Sequence, residues 1–299
     1  MGRKYSIARS LGDRIFDSIN VFLMLCVIFV TLYPMLHVLF ASLSSPSAFM
    51  FHEGVLLKPA GFSLSAYKAV FQDPSIRIGY TNTIFIVVVG VLLNIAMTSV
   101  CAYVLSRKRF YMRNAFMFVI VITMFFSGGL IPFFLTIKWL HLDNTIWVLI
   151  FPGAMSSFNM IIMRTSFNSI PDSLEESAKL DGAGHIQILL RVVLPLSMPV
   201  IAVMILYYAV GHWNSWFNAS IFLRDAKLYP LQLVLRRILI QNNSSSMMTG
   251  GDSGMSEKHF IGETIKYTVI VVSTLPILVL YPFLQRYFVK GVMIGALKG

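Results

Sequence analysis

Between Asn168 and Pro195 the chain reads NSIPDSLEESAKLDGAGHIQILLRVVLP, and four of its thirteen carboxylates, Asp172, Glu175, Glu176 and Asp181, fall there. No Ser/His or His/Glu constellation and no Gly-rich Lys-Ser/Thr phosphate loop accompanies them. The chemistry these residues offer is therefore noncovalent: hydrogen bonds and ion pairs with whatever meets the segment. Its centre is Glu176-Ser177-Ala178, two residues, Asp181-Gly182-Ala183-Gly184, then ten residues to Pro195. Asp172 and Glu175 make a D-x-x-E version of the capping box, with Pro171 suited to a helix entry. Gly182 and Gly184 then break the helix, and a second runs from about His185 until Pro195 forces a new start.

Composition sets the surroundings of this segment. Hydrophobic residues make up 57% of the 299 and charged ones 12%, against roughly 25% charged in soluble domains. With a mean hydropathy of +0.74, the chain is an integral membrane protein. Its net charge of +11 reflects the Lys/Arg bias of cytoplasmic loops rather than nucleic-acid binding. Cys26 and Cys101 both lie in apolar runs and read as small buried hydrophobes.

Apolar runs of the roughly 20 residues needed to cross a membrane recur six times. They cover about Asn20–Ser42, Tyr80–Leu105, Ala115–Ile137, Thr145–Met163, Leu196–Phe217 and Lys266–Leu284. The expected fold is an all-α polytopic membrane protein. It has a cytoplasmic N-terminal segment (1–19), a six-helix transmembrane domain (20–284) and a basic cytoplasmic tail (285–299). Arg107-Lys108-Arg109 and Arg113 are the clearest inside marker, and residues 168–195 are a cytoplasmic loop. Two short helices joined by a glycine turn and held between two spans are placed to be pushed by something in the cytoplasm. Residues 218–265 form a long outer segment whose Asn/Ser/Met/Gly-rich part, Gln241–Ser256, is expected to be mobile.

None of the thirteen carboxylates lies within a span so drawn, which counts against proton-coupled transport and against an intramembrane aspartyl or metal hydrolase. Without a phosphate loop the chain cannot supply its own ATP chemistry. A passive pore or scaffold and a subunit driven by a partner remain, and the structured loop favours the partner. A helix-turn-helix tethered between spans could hardly enter a DNA groove.

The run Glu176-Ser177-Ala178-Lys179-Leu180-Asp181-Gly182-Ala183-Gly184, closing on Val192-Val193-Leu194-Pro195, resembles the EAA loop of ABC importer permeases, with Ser177 where alanine is commonest. The resemblance extends from the first span to Phe288-Val289-Lys290-Gly291. Trp213-Asn214-Ser215-Trp216-Phe217-Asn218, Tyr229-Pro230-Leu231-Gln232 and the 290–299 tail make the chain similar to carbohydrate-uptake permeases. Among these it resembles the second permease subunit of the maltose transporter and the LplC/YtcP-like branch, a resemblance that implies complex oligosaccharides as substrates. The resemblance implies a type I importer permease fold in a bacterial cell membrane, with both termini cytoplasmic. It implies a heterodimer with a second permease subunit, two ATPase subunits that use ATP and magnesium, and an external solute-binding lipoprotein. No cofactor is bound by the chain itself, and a non-sugar solute is the alternative cargo.

On that resemblance Glu176, Ser177, Ala178, Asp181, Gly182, Ala183, Gly184 and Pro195 form the ATPase-coupling site. Glu176 accepts from the ATPase, Ser177 and Ala178 keep the helix thin, and Asp181 caps the second helix or meets a partner cation. Trp213, Asn214, Trp216 and Asn218 are pathway candidates, since aromatic faces beside amides suit sugars. An interfacial aromatic belt would place the two tryptophans equally well. Ser127-Gly128-Gly129 and Pro132 break the third span, either bordering the pathway or as a packing kink. Asn159, with Asn82 and Asn94, is a polar candidate for ligand contact or helix packing. Arg236-Arg237 faces the binding protein, an acidic oligosaccharide or only solvent.

Overall fold

A backbone in lipid must satisfy its own hydrogen bonds, and helices do so within one segment. The computed structural model describes residues 11–248 and 262–279, with side chains described outside 241–248. In order the helices are α1 (Leu11–Ser42), α2 (Pro46–Met50), α3 (Ser65–Gln72), α4 (Pro74–Ser106), α5 (Arg113–Phe125), α6 (Leu130–Trp139) and α7 (Ser157–Asn168). They continue with α8 (Asp172–Leu180), α9 (His185–Ile188), α10 (Leu194–Leu196), α11 (Met198–Trp213), α12 (Phe217–Phe222), α13 (Leu231–Met248) and α14 (Gly262–Val279).

Among the described residues three helices, α1, α4 and α14, are long and apolar enough to cross a bilayer. Two bent pairs raise the number to up to five. One is α5 with α6, turned by 115° at the four-residue break that contains Gly128 and Gly129; the other runs His185–Leu196 into Met198–Phe222, turned by 88°. Gly129 sits at φ +80° as the N-cap of α6, a conformation only glycine adopts freely. The expected fourth span is not one helix. Pro152-Gly153 interrupts the apolar run, which forms a 3-10 turn (Ile146–Leu149) and irregular chain before α7. At 12 residues, α7 is about 18 Å long, short of a hydrocarbon core of about 30 Å.

Other boundaries shift as well. α1 starts at Leu11, so Asp13 and Asp17 stand in its first two turns. Glu263 stands at the start of α14, paired with Lys266 at 2.7 Å. Acids are thus tolerated at helix ends, where they reach the interface, and the middles of the spanning helices stay free of them. Pro195 does not open a new helix. A π turn (Leu189–Val193) leads smoothly into α10, and the bend comes two residues later at Ser197. Within the expected mobile run, Gln241–Met248 continues α13 as helix. Residues 249–256 and the 285–299 tail lie outside the described residues.

The chain divides into two units. In the first, residues 1–72 with 241–272, the end of α1 carries the polar joints. Ser42 Oγ meets Tyr67 OH at 2.8 Å, Ser44 Oγ accepts from Ala60 N–H at 2.9 Å, and His37 packs edge-on to Tyr267. Most of α1 is exposed and apolar, as a surface that meets lipid or another subunit must be.

In the second unit, residues 73–240 with 273–299, α4 packs against α7 and α11. Tyr103, Met160, Met163, Phe167, Ile188 and Met204 form the buried centre. A polar stripe one helical turn apart on α4 crosses this interface. Asn94 donates to Gly153 O and accepts from His212 Nε2 at 2.7 Å. Thr98 Oγ1 meets Tyr208 OH at 2.7 Å, and Tyr208 OH also accepts from Ser156 N–H. Such groups hold helices together where apolar burial gives no preference for protein over lipid. Gly90 completes the stripe, because a Cβ there would fall 2.5 Å from His212 Nε2. Gly90→Ala is expected to displace the imidazole and destabilise the purified chain by roughly 1–3 kcal/mol, as overpacking does. Thermal denaturation in detergent measures this, and unchanged stability would mean the ring swings aside freely.

Candidate functional site

The 168–195 segment folds as α8, a glycine turn and α9, and the turn has a specific cause. Ala183 N–H donates to Ala178 O at 2.9 Å and Gly182 N–H to Lys179 O at 3.0 Å. This is the Schellman pattern, whose C′ residue takes a left-handed conformation. Gly182 supplies it at φ +80°. Asp181 is the C-cap of α8 rather than the cap of the next helix; Gly184 takes that place, its N–H donating to Gln187 Oε1 at 3.1 Å. The expected Asp172/Glu175 capping box is absent, and the N-cap residue, Pro171, makes no side-chain cap bond. Both acids are drawn away by cations at the end of α4.

Those cations define the site. Arg107 caps α4 and donates from Nη1 to Glu175, from Nη2 to Phe167 O (3.4 Å) and from Nε to Ser106 Oγ (3.0 Å). Its guanidinium also lies 4.7 Å from the centre of the Tyr103 ring. Lys179 Nζ reaches the other oxygen of Glu175 at 2.9 Å. One buried carboxylate therefore takes two cations, and one arginine ties together the ends of α4 and α7 and the middle of α8. Burial works to raise the pKa of Glu175, but the bonds from Lys179 and Arg107 outweigh it and hold the carboxyl below the usual glutamate range. Asp172 is also lowered, by the hydrogen bond and charge of Lys108 at 2.6 Å. That pair is open to water and contributes little to stability. A cleft of about 190 Å³ opens here, lined by Arg107–Arg109, Asp172, Glu175, Glu176, Lys179 and His185.

The two neighbouring glutamates differ in burial: Glu175 is buried, while Glu176, though it lines the same cleft, is exposed. Glu175, Ala178 and Lys179 turn toward the chain's own body, with Ala178 and Ala183 packed against the buried centre. Ala178 is half-buried against its own helices. Glu176, Ser177 and Leu180 turn outward with Asp181, Gly182 and Gly184. Leu180 is 90% exposed and Ile186 74%, one apolar side chain before the turn and one after it. Pro195 is exposed as well. The residues missed from the sequence are Glu175 and Arg107. Glu175 lies three residues before Ala178, on one helical face, but Arg107 is 68 positions away and no local pattern points to it.

The pathway candidates differ in burial and in their partners. Trp213 is buried, donates its indole N–H to Ser273 O at 3.3 Å and meets Tyr80 edge-on, so it packs helices. Asn214 is the C-cap of α11, with Nδ2 on Val210 O at 3.0 Å. Trp216 is half-buried under the guanidinium of Arg236, and Asn218 is half-buried in α12. Gly128 lies in the exposed break between α5 and α6, and Asn159 is buried in α7. Among the described residues no hydrogen bond or ring contact links these last two with the Trp213–Asn218 group.

Among the described residues the chain is mostly helical, with two sharply bent apolar pairs and a loop of two short helices tied to the end of α4, an architecture that suits a membrane transport subunit. Residues 94–294 match the family described as binding-protein-dependent transport system inner membrane component, and the chain belongs to that family. It is 40% identical over 290 residues to the polygalacturonan/rhamnogalacturonan transport system permease protein YtcP of Bacillus subtilis (strain 168), covering 97% of this chain and 100% of that one. It is 39% identical to the protein LplC of the same organism over the full length of both. Among solved structures it is similar to a chain of a bacterial ABC transporter involved in the import of the acidic polysaccharide alginate. The TM-score is 0.86 and the identity 33%, covering 95% of this chain and 100% of that one.

Proposed function

We propose that this chain is one permease subunit of an ATP-driven oligosaccharide importer, driven through α8 and the turn that follows it. The observation that carries the reading is the division of labour on α8. Its inner face is tied to α4 by a largely buried ion pair, while Glu176, Ser177, Leu180 and the Gly182 turn are exposed, with open space beside Gly182. A helix so held transmits force in both directions. Cytoplasmic ATPase subunits, two per complex and using ATP and magnesium, would dock on this face through an ion pair to Glu176 and apolar contact with Leu180 and Ile186. Closure of the ATPase pair would then rock the spans as rigid bodies.

A second permease subunit completes the pathway. The unwound backbone at 126–129 is exposed on this chain, with Phe125 and Phe126 beside it. Irregular backbone at membrane depth needs protein or water against it, which the partner subunit or the pathway would supply. The orientation proposed puts the α8 side and both termini in the cytoplasm; the basic cluster Arg107, Lys108, Arg109 and Arg113 supports it for the α8 side. The cargo reading rests on the sugar transport named for the relatives, and an external binding protein would deliver it.

A mild-detergent pull-down of the tagged chain from its own cells, read by mass spectrometry, tests this. A second permease and an ATPase should co-purify. Recovery of the chain alone across several mild detergents would sink the reading and favour a passive pore.

A further inference from the structure

We propose that Arg236 and Arg237, each laid over an aromatic ring, form a carboxylate-binding site for acidic oligosaccharides at the end of the unit opposite the coupling loop. This rests on the sugar-import reading and names the class of sugar.

The site is fixed in place by α4. Asn82 Nδ2 donates to Lys227 O (2.8 Å) and Tyr229 O (3.0 Å), and Leu231 N–H donates to Thr83 Oγ1 (2.8 Å). Gly79 lets the backbone of Leu231 come close, since a Cβ there would lie 3.1 Å from its Cα. Asn82 and Arg107 are 25 positions apart on one helix, about 37 Å at 1.5 Å per residue. That exceeds a hydrocarbon core of about 30 Å. If Arg107 is in the cytoplasm, the start of α13 is outside.

The guanidinium groups are held but unsatisfied by charge. Arg236 Cζ lies 3.7 Å from the centre of the Trp216 ring and Arg237 Cζ 4.2 Å from that of Tyr229. Arg237 Nη2 donates to Tyr229 OH at 2.8 Å, and Tyr229 OH donates in turn to Arg224 O at 3.1 Å. Stacking uses the faces of the guanidinium and leaves N–H edges free to fork onto a carboxylate. Both arginines are exposed, and among the described residues neither meets a carboxylate.

The neighbourhood adds to the surplus. Arg224 and Lys227 are exposed too, and Asp225 is the one acid between Ile221 and Ile240. Its Oδ1 is taken by Lys227 N–H at 2.9 Å. On an outer surface the orientation bias gives no reason for cations to gather. A neutral sugar offers two preorganised forks nothing that water does not. A uronate chain offers one carboxylate per residue.

The test uses the whole complex with its binding protein in proteoliposomes. The probes are trigalacturonate and trimannuronate against their carboxyl-reduced forms. R236Q/R237Q is expected to raise KM for a transported uronate trisaccharide at least tenfold, with uptake of its reduced form unchanged. R236K/R237K, which keeps the charge but loses the fork, should fall between. Equal loss for acidic and reduced sugars would overturn the proposal, assigning the pair to binding-protein docking or to folding, and so would no loss for either. A wild-type complex that moves only the reduced sugars would overturn it and leave the sugar reading standing; one that moves none of the four removes both.

Discussion

Replacing Glu175 by alanine is expected to free the coupling helix from α4 and to uncouple transport from ATP hydrolysis. The change leaves Arg107 and Lys179 without the carboxylate they share, beneath helices that exclude most water. Removing one partner of a fully buried pair costs about 3–5 kcal/mol. These side chains keep some solvent contact, so about 2 kcal/mol is expected here, screened as partly wet pairs are. The helix should still form, because Gly182 and its two backbone bonds remain. What is lost is its fixed position. Arg107→Glu alone should be as damaging, and the swap R107E/E175R should recover part of the loss, which damage to packing alone would not do. Uptake and ATPase activity of the reconstituted complex, with a double-mutant cycle on stability, measure all of this. Additive effects in the cycle would refute the tie.

The same tie has a defined response to pH. Glu175 is depressed in the folded chain, so its contribution is fully present above the unfolded value of about 4.3. It is lost as pH falls below that through the folded value. At neutral pH the clasp is closed. A spin label on Leu180 should gain mobility only in strong acid, and the E175Q variant should show that mobility at all pH values.

Replacing Glu176 by lysine should give the opposite pattern. This side chain is exposed, and substitutions at exposed positions usually change stability by less than about 0.5 kcal/mol. E176K is therefore expected to fold normally yet lose the ATPase and abolish uptake. Gly182→Trp should combine both kinds of harm. The left-handed backbone there costs about 1–2 kcal/mol for any L side chain, and the indole would stand in the open space of the outer face. Thermal stability in detergent beside pull-down of the ATPase separates the two glutamates. Normal ATPase recovery with E176K would rule out the proposed docking face.

The contrast shows what could be read from the chain and what could not. The extent of α8, the turn at Gly182 and the start of the next helix were legible, because each rests on local chemistry. The roles of Glu175 and Glu176 were not. They depend on which face of α8 lies inward, and that is decided by Arg107, Phe167 and the end of α4. The fourth apolar run misled for a related reason, since hydropathy registers Ile146–Phe151 but not the Pro152-Gly153 break within the run. Trp213 looked like a sugar platform beside Trp216 because both are aromatic. Its indole N–H is in fact committed to Ser273 O, 60 positions on, and Trp216 alone of the two carries a cation.

α4 differs from the bent pairs in its unit: it is a single helix of 33 residues, clasped by Arg107 at one end and holding the Tyr229–Leu231 segment near the other. Its consequence concerns timing. A jointed transmission can yield in the middle and let its ends act in sequence. A continuous rod carries a push at one end to the other within the same stroke. In the proposed importer, the side driven by the ATPase and the side that takes the cargo would then move in the same stroke, leaving little interval in which both are open and ions could leak down their gradients.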